Sequence, residues 1–177
     1  AQFLTGSYEA IPSLLEPVLS RSKCLKDRVD PMCTLISAYV AEGKHEALDV
    51  GIAFLAQLGE ELAIEPTQQY VMGQFMRTRA MFKCISLGSI LQMPVLRNEK
   101  KIAAMKVIAL LLPFVYAKHP TLAASMIFRM VQLSVMEGVC EETGYAVAAF
   151  GVMCLMFGTI DAEVYGYAKI AHALLDR

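Results

Sequence analysis

Three groupings in this chain have residue types that could do chemistry: the dipeptide Gly43-Lys44, the paired carboxylates Glu60-Glu61 and Glu141-Glu142, and a scatter of five cysteines and three histidines. A phosphate-cradling loop needs Gly-x-x-x-x-Gly-Lys-(Ser or Thr), so that consecutive backbone amides and the lysine meet the phosphates. Here Ala38 stands where the first glycine is required and His45 follows the lysine, so no nucleotide fingerprint is present. Adjacent carboxylates on a helix diverge by about 100°, which separates the members of each pair and marks them as helix-end charges rather than an acid–base couple. His45, His119 and His172 lie far apart and in no metal-ligand spacing with cysteine or carboxylate. The expectation is therefore no catalytic residue, no metal and no cofactor.

The thiols support the same reading. Cys24, Cys33, Cys84, Cys140 and Cys154 are odd in number and never form Cys-x-x-Cys, a pattern of reduced, buried, intracellular thiols. The functional alternative, a redox pair of Cys24 and Cys33, is set aside because no Cys-x-x-Cys motif marks a lowered thiol pKa. Arg129 stands alone on an apolar stretch, where it either binds an anion or pairs with a buried carboxylate or carbonyls.

The elements that would hold these residues are helical throughout. Apolar residues recur at spacings of three and four, and alternating Val/Ile/Thr runs bounded by turns are missing. The periodicity predicts an all-α fold with helices at about 8–22, 29–42, 45–58, 67–86, 98–117, 120–137, 141–157 and 161–176. With 56% apolar residues in 177, one domain can bury a large core without disulfides or metal. Because only 19% of residues are charged, a membrane reading has to be weighed. The longest uncharged run, Thr143 to Ile160, is near the minimum for a spanning helix but holds Gly and Thr and lacks a basic flank. A buried bundle helix and a cytoplasmic location are expected instead. The chain opens with neither Met nor a signal-type segment, and reads as an excerpt of a longer protein.

A short motif recurs: "GSYEAI" from Gly6, "GKHEAL" from Gly43 and "GTIDAE" from Gly158. The first two copies begin 37 positions apart and the third 115 further on, about three more steps of similar length, as stacked helical hairpins require. Each glycine can end one helix in the left-handed conformation, the acid then supports the N-terminus of the next, and Ala10, Ala47 or Ala162 lets the two helices approach. The motif is read as a hairpin hinge. Around the second copy, Tyr39, Ala47, Gly51 and Leu55 fall at the spacing of a degraded tetratricopeptide-type (TPR) repeat, so the fold is expected to be a TPR-like α-α superhelix or layered hairpin array of about eight helices. Gly144, Ala148 and Gly151 form a small-residue stripe that suits close helix packing, and the methionines Met72, Met76, Met81, Met126, Met130, Met136, Met153 and Met156 suit an irregular core or an adaptable contact groove.

The segment from Leu122 to Arg177 resembles the helical region of large multidomain serine/threonine kinases that also carry an AAA-type ATPase module, GAF and histidine-kinase domains. The residues carrying the likeness are Arg129-Met130-Val131, Leu133-Ser134, Gly138, Ala146, Gly151, Gly158, Asp161-Ala162 and Ala171 through Leu175, joined by "ALDVGIAFLAQLG" from Ala47. What the resemblance implies is a signalling context. Kinase signatures such as His-Arg-Asp and Asp-Phe-Gly are absent from the chain.

Charge is polarised along the sequence. Residues 42–65 carry six acids against Lys44, whereas 77–106 carry Arg77, Arg79, Lys83, Arg97, Lys100, Lys101 and Lys106 against Glu99. The net charge of −1 argues against general nucleic-acid binding. Arg97, Lys100 and Lys101 open a helix whose dipole they oppose, which makes them candidates for docking onto an acidic surface: the 42–65 segment, a neighbouring domain or a protein partner. The functional expectation is a non-catalytic interaction and spacer-regulatory module of a larger signalling kinase or ATPase. The alternatives are a small-ligand sensor with a pocket in the concave face of the array, for which an apolar cavity near Met72 to Phe82 would be the sign, and a membrane-associated bundle.

Overall fold

The computed structural model describes residues 8–22, 24–83, 89–90, 92–159 and 161–176, with the side chains of Asp161 and Ala162 left aside. These residues form eight helices: α1 (Ile11–Arg21), α2 (Leu25–Ala41), α3 (Glu46–Gln57), α4 (Gln68–Lys83), α5 (Glu99–Lys118), α6 (Pro120–Glu137), α7 (Thr143–Met156) and α8 (Asp161–Leu175). The fold is all-α, a layered array of helical hairpins. Helix α2 starts four residues earlier than the periodicity suggests, because Pro31 lies inside it rather than in its first turn. The uncharged run from Thr143 becomes a helix of 14 residues ended at Gly158. At 1.5 Å per residue that spans about 21 Å, against about 30 Å for a hydrocarbon core. Among the described residues no helix is long and apolar enough to cross a membrane.

Three hairpins, α2/α3, α5/α6 and α7/α8, are linked by packing of α2 and α3 on α5 and of α6 on α7. Helix α4, which lies between the first two hairpins in sequence, packs on α6 instead. That insertion departs from the regular step of stacked repeats. Helices α5 and α6 occupy the centre, and both are apolar on nearly every side: Met105, Ile108, Leu111, Leu122, Met126 and Ile127 are almost fully enclosed. The half built from α4, α6, α7 and α8 has an aromatic core. Phe75 stacks on Phe157 at 4.5 Å, Phe82 on Phe150 at 5.7 Å, and Tyr167 meets Phe150 edge-on at 5.3 Å.

The hinge motif has a definite geometry in its second and third copies. Gly43 (φ 68°) ends α2, with its amide bonded to the Val40 carbonyl and that of Lys44 to Tyr39. Gly158 (φ 70°) ends α7 in the same way, through Leu155 and Cys154. A left-handed residue at this position satisfies carbonyls the helix would otherwise leave open, and glycine adopts it without a Cβ clash. After Gly43 the chain enters α3 at Glu46, whose negative charge sits at the positive end of the helix. His45 packs edge-on to Phe114 of α5 at 6.3 Å, and the Lys118 ammonium donates to the Gly43 carbonyl at 3.2 Å. Ala47 is fully buried, and a Cβ on Gly51 would come within 2.5 Å of Leu111, so α3 lies directly against α5. Ala10 caps α1 and is half-buried, Ala162 lies in the first turn of α8, and Gly6 falls outside the described residues.

One tie joins the loops. The Leu96 amide bonds the Val139 carbonyl at 2.8 Å and the Val139 amide bonds the Pro94 carbonyl at 2.9 Å. This parallel bridge fastens the α4–α5 connection to the α6–α7 connection. Gly138 (φ 120°) stands at the crossing, where a Cβ would lie 2.5 Å from the Pro94 oxygen.

Replacing Ala47 with glutamate forces bulk and charge into the α2–α3–α5 contact. Urea unfolding should show a loss of about 3 kcal/mol, and a loss under about 0.5 kcal/mol would place this position outside the core.

Candidate docking surfaces

The residues considered for catalysis are dispersed. His119 joins α5 to α6, His45 faces Phe114, and His172 pairs with Asp176 at 2.8 Å on the surface. Among the described residues no three histidines, cysteines or carboxylates gather as a metal site. Cys24 is exposed, Cys33 and Cys140 are half-buried and Cys154 is buried, all as free thiols, while Cys84 lies outside the described residues. Burial pushes the Cys140 and Cys154 thiols up to about 11, which suppresses the reactive thiolate.

The charged residues do converge, and the convergence is structural. Glu60 follows directly on Gly59 (φ 82°), and its amide bonds the Leu55 carbonyl, a cap that turns the side chain inward from the end of α3. Its carboxylate is 2% exposed. Arg129 of α6 grips both oxygens, Nε to Oε2 at 2.5 Å and an Nη to Oε1 at 3.1 Å, and Lys101 of α5 donates to Oε1. Burial alone would raise the Glu60 pKa, but the two cations outweigh it and hold the group below its ordinary value. Arg129 therefore serves a buried carboxylate. One acid of the 42–65 segment meets one cation of the basic stretch within the same chain.

That pairing divides the proposed docking set. Lys101 is committed to Glu60 with its side chain 19% exposed, so it is the member of the set least available to an outside partner. Arg79 binds Glu163 with two bonds of 2.9 and 3.0 Å, and Lys83 approaches the same carboxylate at 3.6 Å. Among the described residues Arg97, Lys100 and Lys106 form no ion pair, and the first two are exposed. Lys100 and Lys106 border a cavity of about 340 Å³ between the N-terminal halves of α2 and α5. Sequence reasoning missed Lys26, which comes from α2 to the same rim and pairs with Glu99 at 2.7 Å. Only the tertiary packing of α2 on α5 brings it there.

A second surface is apolar. Met126, Met130 and Met153 belong to the core, whereas Met72, Met76, Met136 and Met156 stand exposed. Met72 and Met156 border a hollow of about 440 Å³ between α4, α5, α6 and α7. It shares Tyr116 and Met153 with a hollow of about 270 Å³, which in turn shares Val152 with a third of about 420 Å³ between α7 and α8. The three form a continuous apolar tract. The small-residue stripe serves the α7/α8 crossing: a Cβ on Gly144 would touch Leu175 at 3.1 Å, and Gly151 lies against Tyr167. Ala148 faces outward into the third hollow.

Comparison of the chain with known protein families, with characterised proteins and with solved structures yields no match.

Two neighbouring substitutions should separate the paired cation from the exposed one. Lys101→Glu sets a second carboxylate against Glu60 and should cost about 2–3 kcal/mol in chemical denaturation, whereas Lys100→Glu, at a helix N-terminus that favours acids, should change stability by less than about 0.5 kcal/mol. Equal effects would remove the distinction.

Acid should act through Glu60. A carboxyl with a lowered folded pKa contributes stability that is complete above its unfolded value, near 4.5, and is lost as pH falls through the folded value. Glu60→Gln, though destabilised at neutral pH, should therefore lose less stability than wild type between pH 5 and pH 3. Parallel pH profiles of the unfolding midpoint would contradict the ionised, paired state.

Proposed function

We propose that this array is a non-catalytic docking module of a larger signalling polypeptide, the kinase or ATPase context that its resemblance implies, and that it receives an amphipathic helix from a partner or neighbouring domain. The observation that carries the reading is the apolar tract running from Met72 past Tyr116 to Val152 and Leu155. Soluble proteins seldom leave contiguous apolar surface of this kind uncovered unless something binds it. Helix α7 is apolar on all sides, yet Val152 and Leu155 are each 50% exposed on its outer side. A helix apolar all round belongs in an interior. Methionine and tyrosine walls suit a helical ligand, because thioethers repack around different side chains and adjoining hollows can take successive apolar anchors.

One observation favours a second reading. The hollow at Met72 and Phe157 touches the N-terminal end of the Met72 to Phe82 segment, and about 440 Å³ lies within the usual range for small-ligand sites, which supports the sensor.

The two readings separate by methyl spectroscopy of the protein labelled at methionine. Titration with a synthetic amphipathic helical peptide bearing leucine at every third or fourth position should shift Met72, Met153 and Met156 and leave the enclosed Met105, Met126 and Met130 unmoved. Met156→Asp should weaken that binding about tenfold. If indole shifts Met72 and Met156 while the peptide shifts nothing, the sensor reading replaces the docking one; if neither shifts any methyl at millimolar concentration, both fail.

A further inference from the structure

The cavity between α2 and α5 has the features of a site for an anionic amphiphile. Its walls come from two facing helical stripes, Leu25 and Val29 on α2 and Ile102 and Ala103 on α5, and Leu58 at the end of α3 also lines it. Leu58 and Ala103 are buried, while Leu25, Val29 and Ile102 are half-buried and present apolar surface to the space. The volume of about 340 Å³, open on one side to solvent, lies at the small end of ligand sites.

The rim supplies the polarity. Lys26, Lys100 and Lys106 border it together with Asp30 and Glu99. Lys26 and Glu99 neutralise one another across the opening at 2.7 Å. Asp30 is the remaining acid, and Lys100 and Lys106 are two cations that form no ion pair among the described residues. The balance is one positive charge, set beside an apolar pocket. Lys101, the next residue on α5, is withdrawn to Glu60, so the helix directs one lysine inward to the core and its neighbour to this rim. An apolar interior with a cationic mouth matches a ligand with an alkyl stem and one anionic head.

We infer that this cavity binds a medium-chain carboxylate, with the stem between α2 and α5 and the head at Lys100 and Lys106. The inference is independent of the apolar tract, which lies on α4, α5, α6, α7 and α8 and shares no lining residue with this cavity. The same chemistry could be presented by a free acid or by the carboxylate of an acidic, apolar peptide segment. Cys24 sits on the cavity wall with an exposed thiol and provides a reporter.

The test uses decanoate, with decanol as the neutral counterpart, decylamine as the cationic one and a short peptide in which a glutamate follows two leucines. Calorimetric titration should give decanoate affinity at least tenfold above decanol and decylamine, falling in high salt as exposed ion pairs do. Decanoate should also slow alkylation of Cys24, followed by mass spectrometry of the peptide that contains it, without changing the rate at Cys33 or Cys140. Lys100→Gln with Lys106→Gln should reduce decanoate affinity about tenfold and leave decanol unchanged. Asp30→Asn should tighten it, and Val29→Phe should abolish binding of every alkyl probe; circular dichroism would establish that each variant is folded. Tighter binding of the peptide than of decanoate, with the same lysine dependence, assigns the site to a protein carboxylate. Equal affinity for decanoate and decanol, or unaltered alkylation of Cys24, overturns the inference.

Discussion

The Glu60 carboxylate is the constraint around which the centre of this array is arranged. An ionised acid at 2% exposure is untenable alone, since removal from water costs several kcal/mol per ion. It persists because Arg129 approaches from α6 and Lys101 from α5. Three elements from different parts of the chain must therefore be in place before any one charge is satisfied. Apolar residues on α5 and α6 could slide or rotate past one another at small cost, as interchangeable hydrophobic surfaces do. A fork-shaped guanidinium on a single carboxylate does not permit that, so the triad fixes register where the core alone would tolerate alternatives. Removal of either cation leaves the other with a carboxylate only half compensated.

From this centre the chain builds outward in two unlike directions. Toward α2 and α3 the contacts are aliphatic and close, with Gly51 and Ala47 letting α3 lie on α5. Toward α4, α7 and α8 they are aromatic, and the rings of Phe75, Phe82, Phe128, Phe150 and Tyr167 span four helices. Helix α4 lies against α6 in that second half, although in sequence it follows the first hairpin. The two candidate surfaces follow this division: the cationic cavity lies beside the aliphatic half and the methionine tract along the aromatic one.

Much of the fold was legible from periodicity, because a helix writes its buried face into the spacing of three and four. The hinges were legible too, since Gly43 and Gly158 announce a left-handed cap and an acid follows each. The position of α4 was not, because its apolar face is equally compatible with any apolar neighbour. The docking cations were legible only as a group. That Lys101 turns inward and Lys100 outward is decided by the location of Glu60, a residue 41 positions away that reads in sequence as an ordinary helix-end acid. The methionines likewise carry no signal that separates Met126 in the core from Met156 on the surface, since their helices are apolar on both sides.

The tie at Gly138 bears on what the two loops can accommodate. It is made by main-chain atoms alone, with Val139 bonded to Pro94 and Leu96, so the side chains on either side contribute shape but not the bond itself. Leu96 and Val139 are themselves nearly enclosed, at 2% and 5% exposure, so the core holds their side chains while the tie holds their backbone. The glycine is different, because any Cβ there strikes the Pro94 oxygen. The two connections are thus pinned at one point by backbone, and a larger residue at position 138 would have to part the loops before it could be housed.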